Sequence, residues 1–436
     1  MVDRQCAWAR VVWTAPVVGV WVLLAWCGIP PGRATAKASA GAVGRTEAGW
    51  AEFRGARRDG VSDERNLLAS WPEGGPKVLW TVSGLGRGYS SPVVGGGRIY
   101  LTGDVREQLR IFALDLDGKE KWRALNGASW KKPFGGARGS CSYRDGRLVH
   151  VNAHGRVVCL DAATGSETWA VDMLRRFAAK RPPFGIAECV LVDGSRVLVT
   201  PAGRKGLLAA LDLATGKTLW ASDVVAEGAE TAGYSSPILI ERAGTRQVIA
   251  TTSHRTVGVD VRTGKLLWSF ALKFVKQSCS TIPVFGGDSL FITNTSRHDG
   301  MLYRLRIDEA NARARKGWSI QLANTHGSMV YAAGRIFGAS SMKLKGWASI
   351  DPSTGKVLAL RKDLAIGSAV YADGRLYCLT ERGTMVLLKP GENALETVGQ
   401  FEFVQRKKDV WPHPVVCGGR LYLRYHDKLT CYDIRR

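Results

Sequence analysis

The stretch "LDAATGSETW" (160–169) recurs along the chain with small changes, and it decides the fold. Close copies are "LDLATGKTLW" (211–220) and "VDVRTGKLLW" (259–268), and looser copies are "LDLDGKEKW" (114–122) and "IDPSTGKVLA" (350–359). Asp and Thr side chains hydrogen-bond the backbone of a tight turn, and Gly takes the positive φ that the turn needs. Each copy therefore predicts a turn into a strand that ends in Trp and packs against its neighbour. The residues of this pattern are Asp115, Asp161, Gly165, Trp169, Asp212, Gly216, Trp220, Asp260, Gly264 and Trp268.

A second phrase precedes the turns and has the pattern of paired strands. Examples are "YSSPVVGGGRIYLTG" (89–103) and "GSAVYADGRLYCLT" (367–380), and we count eight such phrases. β-Branched and aromatic residues bounded by Gly and Asp are typical of hairpins. Asp115, Asp161, Asp212 and Asp260 lie 46, 51 and 48 residues apart, and Asp351 and Asp433 mark later copies. A four-stranded unit at this spacing predicts an all-β, eight-bladed β-propeller.

The two ends of the repeat region complement each other. The last copy stops at "CYDIRR" without a fourth strand, and "GPKVLWTV" (75–82) precedes the first copy with Trp80 in the place of the strand-end tryptophans. An N-terminal strand that completes the last blade would close the ring and leave no open edge. We therefore predict a propeller over residues 75–436, with residues 41–74 as a non-repeat segment on its outside or base. Two copies, 303–318 and 387–401, are degraded.

The N-terminus has the features of an export signal. Arg4 and Arg10 precede or border an apolar stretch over 11–29, and small residues suited to cleavage after Ala36 or Ala40 follow. Residues 1–40 are therefore a signal peptide or, since the apolar run is long enough to span a bilayer, an uncleaved membrane anchor. Cys27 offers lipidation as a third reading. The expected location is periplasmic or secreted, with the N-terminal segment as the membrane contact if it is retained.

Composition limits the partners. The chain carries 61 Lys and Arg against 38 Asp and Glu, a formal charge of +23, which favours polyanions. The basic residues are scattered and form no long run, which argues against a nucleic-acid site. Nine cysteines are present without a CxxC pair, so a zinc ribbon is not indicated, and the seven beyond residue 40 are expected to be buried thiols. Export would permit a disulfide or two.

The repeat resembles the pyrroloquinoline-quinone-type (PQQ-like) propeller repeat, in which a strand pair leads into ALD-x-x-TG-K-x-x-W. The resemblance covers about 75–433, and "WAEFRGARRDGVS" (50–62), "GLGRGYSSPVV" (84–94) and "WPHPVVCGGRLYL" (411–423) look like exported bacterial propellers of this class. The resemblance implies the propeller fold. It leaves the function open, because the superfamily includes quinoprotein dehydrogenases and also the non-enzymatic propeller lipoprotein of outer-membrane barrel assembly, which contacts partner proteins and carries no quinone.

The residues that quinone chemistry needs are not evident in the sequence. The resemblance to quinone-dependent alcohol dehydrogenases implies a Ca²⁺ held by oxygen ligands, a carboxylate base and, in many members, a disulfide between adjacent cysteines. The chain has no adjacent cysteine pair. It also shows no Glu/Asn/Asp constellation at the blade tops. We therefore predict no catalytic residue, no metal site and no cofactor, with PQQ and Ca²⁺ only if the chain is a dehydrogenase.

Residues that lead into the first strand of each blade should meet at one mouth of the central channel. Arg, Tyr, Trp and His side chains gathered there suit an anionic or sugar-like ligand, while the structural alternative is that they form turns and lock blades. The pocket candidates are Arg87, Tyr89, Arg138, Glu188, Tyr234, His326, Trp411 and His413.

Three functions remain at this stage. The first is an exported, monomeric, non-catalytic propeller that binds a protein or another macromolecule in the cell envelope. The second is a PQQ-dependent oxidoreductase that acts on an alcohol or on polyvinyl alcohol. The third is a basic scaffold that binds a polyanion, whose affinity would fall steeply with salt.

Overall fold

The structure is a computed structural model, and it describes residues 49–224, 230–272, 280–294, 300–308, 310, 312–341, 344–405 and 409–436. This part of the chain is almost entirely β-structure, with 32 strands and one short helix, α1 (Met173–Arg176). The predicted signal segment and Cys279 lie outside the described residues. Among the described residues, no helix is both long and apolar enough to cross a membrane.

The strands follow one another in groups of four along the chain. The first half contains β1 (Val78–Val82), β2 (Val93–Gly95), β3 (Arg98–Val105), β4 (Gln108–Asp115), β5 (Glu120–Ala128), β6 (Ser142–Arg144), β7 (Arg147–Val151), β8 (Arg156–Asp161), β9 (Glu167–Asp172), β10 (Leu191–Asp193), β11 (Arg196–Val199), β12 (Ala209–Asp212), β13 (Thr218–Ala221), β14 (Ile238–Arg242), β15 (Thr245–Thr251), β16 (Arg255–Asp260) and β17 (Leu266–Ala271). The second half contains β18 (Val284–Gly286), β19 (Ser289–Thr293), β20 (Met301–Asp308), β21 (Arg313–Gln321), β22 (Val330–Ala332), β23 (Arg335–Ser340), β24 (Gly346–Ile350), β25 (Val357–Arg361), β26 (Gly367–Ala372), β27 (Arg375–Thr380), β28 (Thr384–Pro390), β29 (Leu395–Glu402), β30 (Val415–Cys417), β31 (Arg420–Tyr425) and β32 (Lys428–Asp433).

The strands form antiparallel sheets in which most neighbours are consecutive in sequence. Five four-stranded sheets are β2–β5, β6–β9, β10–β13, β22–β25 and β26–β29. A sixth has the order β1-β32-β31-β30, so residues 78–82 supply the fourth strand of the last group, as the sequence predicted. In this pairing Trp80 lies opposite Cys431.

The remaining strands form one eight-stranded sheet, which departs from the predicted four-stranded blades. It consists of β14–β17 and β18–β21, joined by a single parallel bridge between Ser269 and Arg313. The repeat over 303–318 has lost its Thr-Gly turn, and its strands β20 and β21 are eight and nine residues long. Arg313, which forms the bridge, is the first residue of β21 and lies at the end of the turn that has lost Thr-Gly.

Each fourth strand carries a bulge, and in five repeats a tryptophan beside the bulge links one sheet to the next. In the pairing of the third and fourth strands, one residue of the fourth strand is skipped just before the tryptophan position, as between Leu160–Glu167 and Cys159–Trp169. The same shift occurs opposite Ala359 and Gly399, where the repeat lacks Trp. The bulge is therefore a feature of the fold that persists where the side chain has changed.

The indole nitrogen of these tryptophans donates to the next sheet. In five cases the acceptor is the carbonyl of the residue that follows the turn Asp. The pairs are Trp80 with Leu116 (2.9 Å), Trp122 with Ala162 (3.2 Å), Trp169 with Leu213 (2.9 Å), Trp220 with Val261 (3.0 Å) and Trp318 with Pro352 (3.0 Å). The turn glycine lies against the same ring, so that a Cβ on Gly216 would lie 2.7 Å from Trp169.

Trp268 differs from the other tryptophans. It is 1% exposed and donates to the Gln247 side chain of its own sheet at 2.9 Å. The following sheet lacks the Thr-Gly turn that receives the other indoles. Its ring nevertheless lies in a buried cluster with Leu290 and Leu305 of the following repeat, so the expectation that it packs against its neighbour is confirmed and only the acceptor of its indole nitrogen differs.

The apolar core lies between neighbouring sheets. One buried cluster joins Val149 and Val157 of β7 and β8 to Val197 and Leu211 of β11 and β12. Equivalent clusters lie between the other sheets. The first strands of several neighbouring sheets also contact each other, in the order β2, β6, β10 and in the order β18, β22, β26, β30.

Residues 50–62, called here the inner segment, contact these first strands. The sequence placed this segment on the outside or base of the propeller, and the contacts show that this was wrong for residues 50–62. The hydrogen-bonded pairs are Trp50 with Val94, Ala51 with Tyr143, Glu52 with Val192, Gly60 and Ser62 with Tyr371, and Ser62 with Val416. Phe53 packs against the cluster that contains Ile238 and Ile282.

Beyond the inner segment the chain runs along the last two sheets. Glu64 accepts hydrogen bonds from the backbone of Gly418 and Gly419, and Trp71 packs on Tyr377 and Phe401. The described cysteines are free thiols, five of them buried and Cys417 partly buried, so no disulfide forms among them. This matches the expectation of buried thiols.

Candidate functional site

The loops that lead into the first strands, called here the entry loops, carry a continuous group of aromatic rings. Trp411 is at its centre. Its ring centroid lies 4.3 Å from His326, 4.7 Å from Tyr89 and 5.6 Å from Phe134. From Phe134 the group continues to Phe184 (6.2 Å) and from there to Tyr234 (5.5 Å). The entry loops thus bring together Tyr89, Tyr234, His326 and Trp411, four of the residues singled out in the sequence.

Arginines border this aromatic group. The guanidinium of Arg138 lies 5.4 Å from the centroid of the Trp130 ring, and that of Arg181 lies 5.5 Å from the same centroid. Arg138 also donates to the carbonyls of Pro133 and Phe134, both at 2.8 Å. Burial lowers the pKa of Arg138, while the neighbouring Tyr89 and Asp104 oppose this shift.

The acids near these loops are few and differ in their surroundings. Burial raises the pKa of Asp104 to about 6, although the hydrogen bond from the Trp130 backbone nitrogen and the nearby arginines act to lower it. Glu381 lies 3.2 Å from His326, and Glu107 is paired with Lys131. Among the described residues, no three or more His, Cys, Asp or Glu side chains form a group that could hold a metal ion.

Arg87 and Tyr89 lie next to each other at the edge of the group. Burial raises the pKa of Tyr89, and the adjacent Arg87 opposes that shift. The Arg87 backbone pairs with Asp104, which fixes the loop on β3. Arg87 is exposed and Tyr89 is buried. Of this pair, only the Arg87 side chain extends into solvent.

His413 lies under the entry loops and connects them to the inner segment. Its Nε2 lies 2.9 Å from the His326 carbonyl, and its Nδ1 lies 3.1 Å from a guanidinium nitrogen of Arg54. The arrangement places a proton on Nε2, since the carbonyl can only accept, and leaves Nδ1 as the acceptor from Arg54. Burial, reinforced by Arg54, lowers the pKa of His413 to about 3. His413 is therefore neutral and serves as a structural link.

Glu188 is the one pocket candidate that is an acid, and it does not face the entry surface. It is 2% exposed, and its carboxylate accepts from the Thr200 backbone nitrogen at 3.2 Å. Burial raises the pKa of Glu188 to about 8, only partly opposed by Thr200 and Arg58. The side chain is therefore protonated at neutral pH.

The inner segment holds two fully buried arginines. Arg58 donates to the carbonyls of Val190 and Cys189, and lies 3.2 Å from Glu52. Arg54 donates to Met329 and Asp59 carbonyls. Burial raises the pKa of Glu52, with Arg58 opposing, and lowers the pKa of Arg54 to about 10. The side chains of Arg54 and Arg58 thus point into the protein and bond its main chain.

Several residues of the site were missed in the sequence. The entry loops that carry them are not part of the repeat, so the repeat spacing could not predict where these side chains lie. The residues are Trp130, Phe134, Arg181 and Phe184. The signal that was available is the density of aromatic and basic residues in "SWKKPFGGAR" (129–138) and "KRPPF" (180–184). Arg54 and Arg58 gave no functional signal beyond the resemblance.

These observations define an all-β protein of the propeller class, built from four-stranded PQQ-like repeats. A family model described as Outer membrane protein assembly factor BamB matches residues 108–359, and the chain belongs to this family. No curated protein sequence matches the chain significantly.

Solved structures of two kinds share the fold. BamB from Moraxella catarrhalis is 15% identical with a TM-score of 0.59, over 82% of this chain and 97% of that one. Quinohemoprotein alcohol dehydrogenase from Comamonas testosteroni is 12% identical with a TM-score of 0.63, and the match covers 89% of this chain and 81% of that one. Quinohemoprotein alcohol dehydrogenase ADHIIG from Pseudomonas putida HK5 is 13% identical with a TM-score of 0.62, over 89% and 80%. At these identities the likeness concerns the fold.

Proposed function

We propose that the chain is an exported, closed, eight-bladed propeller that works without a redox cofactor, as a binding or scaffold module of the cell envelope. The observation that carries the proposal is the position of the inner segment. Its residues bond the first strands β2, β6, β10, β26 and β30 and the residue that precedes β22, and Phe53 packs against a cluster of the eight-stranded sheet that includes Ile238 of β14. In a closed ring those first strands surround the axis, so the chain's own residues occupy it.

The carboxylates at this position do not fit a quinone with its calcium ion. Glu188 is 2% exposed, and its carboxyl group already accepts a hydrogen bond from the Thr200 backbone nitrogen, so it is enclosed by the protein's own groups. Glu52 is already bonded to Arg58 and to the Val192 nitrogen. Arg54 and Arg58 add positive charge to the same place, which opposes a divalent cation. These contacts support a structural use of the interior.

The export and partner parts of the proposal have separate support. The basic and apolar N-terminal sequence suggests export, and membership of the BamB family suggests a protein partner. Fractionation of cells that express the tagged full chain, followed by mass measurement of the N-terminus, tests export. A cytoplasmic chain with residues 1–40 intact would contradict this part.

The decisive test of the cofactor part is a titration of the protein with pyrroloquinoline quinone, with and without Ca²⁺, followed by calorimetry and absorbance. We expect no saturable binding up to about 100 μM. An apo-quinohemoprotein alcohol dehydrogenase in the same buffer serves as the positive control. Calcium-dependent binding at micromolar or lower concentration, weakened by Glu188→Gln, would instead make the chain a quinone-dependent oxidoreductase.

A further inference from the structure

Six entry-loop residues form a surface in which aromatic rings and arginines lie side by side. The aromatic–arginine surface consists of Trp130, Phe134, Arg138, Arg181, Phe184 and Trp411. Phe134 is 48% exposed, and it is the one aromatic among the large hydrophobic side chains that stand exposed in the described part of the chain. An exposed phenyl ring in contact with two other rings marks a contact surface for a partner.

The charge of this surface is positive and uncompensated. Neither Arg138 nor Arg181 has a carboxylate within ion-pair distance among the described residues. Arg181 is exposed and shares a hydrogen bond with His154 (3.2 Å). The adjoining Lys131 is paired with Glu107, and Lys132 and Lys180 are exposed. Charge complementarity therefore requires an anionic partner.

The surface is also held in place before any partner arrives. Arg138 bonds the carbonyls of Pro133 and Phe134 and so fixes the loop that presents Phe134. The Trp130 indole donates to Pro133 at 2.9 Å from the other side of that loop. Because these contacts order the loop in advance, binding would lose little conformational entropy.

We propose that this surface binds an acidic protein segment that carries an aromatic or other large apolar side chain. The proposal rests on the function proposed above and names the partner class. The apolar side chain of the partner would pack against Phe134, Phe184 and Trp411. Trp, Tyr and Arg are the residue types that most often carry the binding energy of a protein interface. Flanking carboxylates would bond Arg138 and Arg181, which suit bidentate acceptors.

The choice of protein over acidic polysaccharide follows from the polar groups present. A sugar ring needs acceptors as well as donors around it, because each hydroxyl both donates and accepts. The polar side chains of this surface are arginines, which only donate. Two of the three rings at its centre are Phe, which have no polar atom to offer to a hydroxyl. A peptide with carboxylates beside an apolar side chain therefore matches these arginines and phenyl rings better than a sugar does.

The test uses the signal-free protein and a fluorescent peptide of Asp and Glu residues around a central Phe-Leu pair. We expect anisotropy to show a micromolar Kd that weakens about tenfold between about 50 and about 300 mM NaCl. Phe134→Ser and Arg181→Glu should each weaken binding about tenfold or more. The same peptide with Ser-Ser in place of Phe-Leu, and a Lys version of it, should bind at least about tenfold more weakly.

Matched control variants exist elsewhere on the chain. Leu219 is 49% exposed, and Arg262 is exposed in a turn between β16 and β17. Leu219→Ser and Arg262→Glu therefore make the same kinds of substitution outside the aromatic–arginine surface. These should leave the Kd unchanged. Equal thermal midpoints for all four variants would show that the fold is intact.

Three outcomes would overturn the inference. They are a Kd above about 1 mM for the acidic Phe-Leu peptide, equal loss in the control variants, and competition by polyglucuronate at lower concentration than the peptide. The quinone titration separates this inference from the proposed function. Quinone binding would overturn the proposed function, whereas absence of both quinone and peptide binding would overturn only the partner class.

Discussion

Replacing Arg58 by Met should cost about 3–5 kcal/mol in the free energy of unfolding, since one partner of a buried ion pair is removed. Arg58 and Glu52 are 1% and 6% exposed at the side chain and 3.2 Å apart. The substitution also leaves the carbonyls of Val190 and Cys189 without their donor. Buried groups that lose a partner each cost about 1–3 kcal/mol, which is consistent with the total.

The loss should also depend on pH. Burial already raises the pKa of Glu52, and Arg58 is the group that opposes it most. Without Arg58 the folded-state pKa rises further, so the variant loses stability as pH increases above the unfolded value of about 4.3. The double variant Glu52→Gln/Arg58→Met removes this titration and should be more stable than Arg58→Met at pH 8.

The assay is urea unfolding by tryptophan fluorescence at pH 5.5 and pH 8, with Arg57→Met as the matched control. Arg57 is the next residue, but it is 46% exposed and bonds Asp59 and Asp63 at the surface. Surface pairs are worth about 0–1 kcal/mol, so Arg57→Met should be nearly neutral. Equal, small losses for Arg57→Met and Arg58→Met would refute the reasoning about the inner segment.

Three further predictions concern other contacts. Gly216→Ala should lower the free energy of unfolding by about 2–4 kcal/mol, because its φ is 68° and its Cβ would lie 2.7 Å from the Trp169 ring. The control Gly194→Ala, with a φ of 55° and open space around its Cβ, should lower it by only about 1–2 kcal/mol, and urea unfolding measures both. Glu188→Gln should raise the free energy of unfolding at pH 8 by about 4 kcal/mol and flatten its fall between pH 4.5 and 8, since a folded pKa of about 8 disfavours folding as pH rises; an unchanged pH profile would contradict this. With its pKa lowered to about 3, His413 should make stability fall as pH drops below about 6.5, and His413→Gln, which keeps a donor and an acceptor, should reduce that slope in urea titrations at pH 4–7.

The repeat was readable from sequence because its signal is local. Asp161 accepts hydrogen bonds from the Thr164 hydroxyl and from the backbone of Thr164 and Ala163, and these bonds lower the pKa of its carboxyl. A turn of this kind needs only five or six consecutive residues. The spacing of its copies predicted the four-stranded sheets outside β14–β21, and the missing fourth strand of the last copy predicted the pairing of β1 with β32.

The inner segment was not readable because its partners are distant and carry no side-chain signature. Arg54 donates to the carbonyl of Met329, and Arg58 to those of Val190 and Cys189. A carbonyl is present at every residue, so the sequence cannot indicate which ones will be bonded. The aromatic rings of the entry loops could be predicted from the sequence only in part. Tyr89 and Trp411 follow from their positions before first strands, while Phe134 does not.

The pairing of β1 with β32 has a consequence for how the chain reaches its native state. Residues 78–82 are made early, yet the strand that pairs with them in the described part of the chain, residues 428–433, is made about 350 residues later. Until then β1 is an unpaired strand edge, and the inner segment lacks Tyr371 and Val416. Contacts of such sequence separation are slow to form. The sheet that contains β1 is therefore completed only when the C-terminal end of the chain has been made.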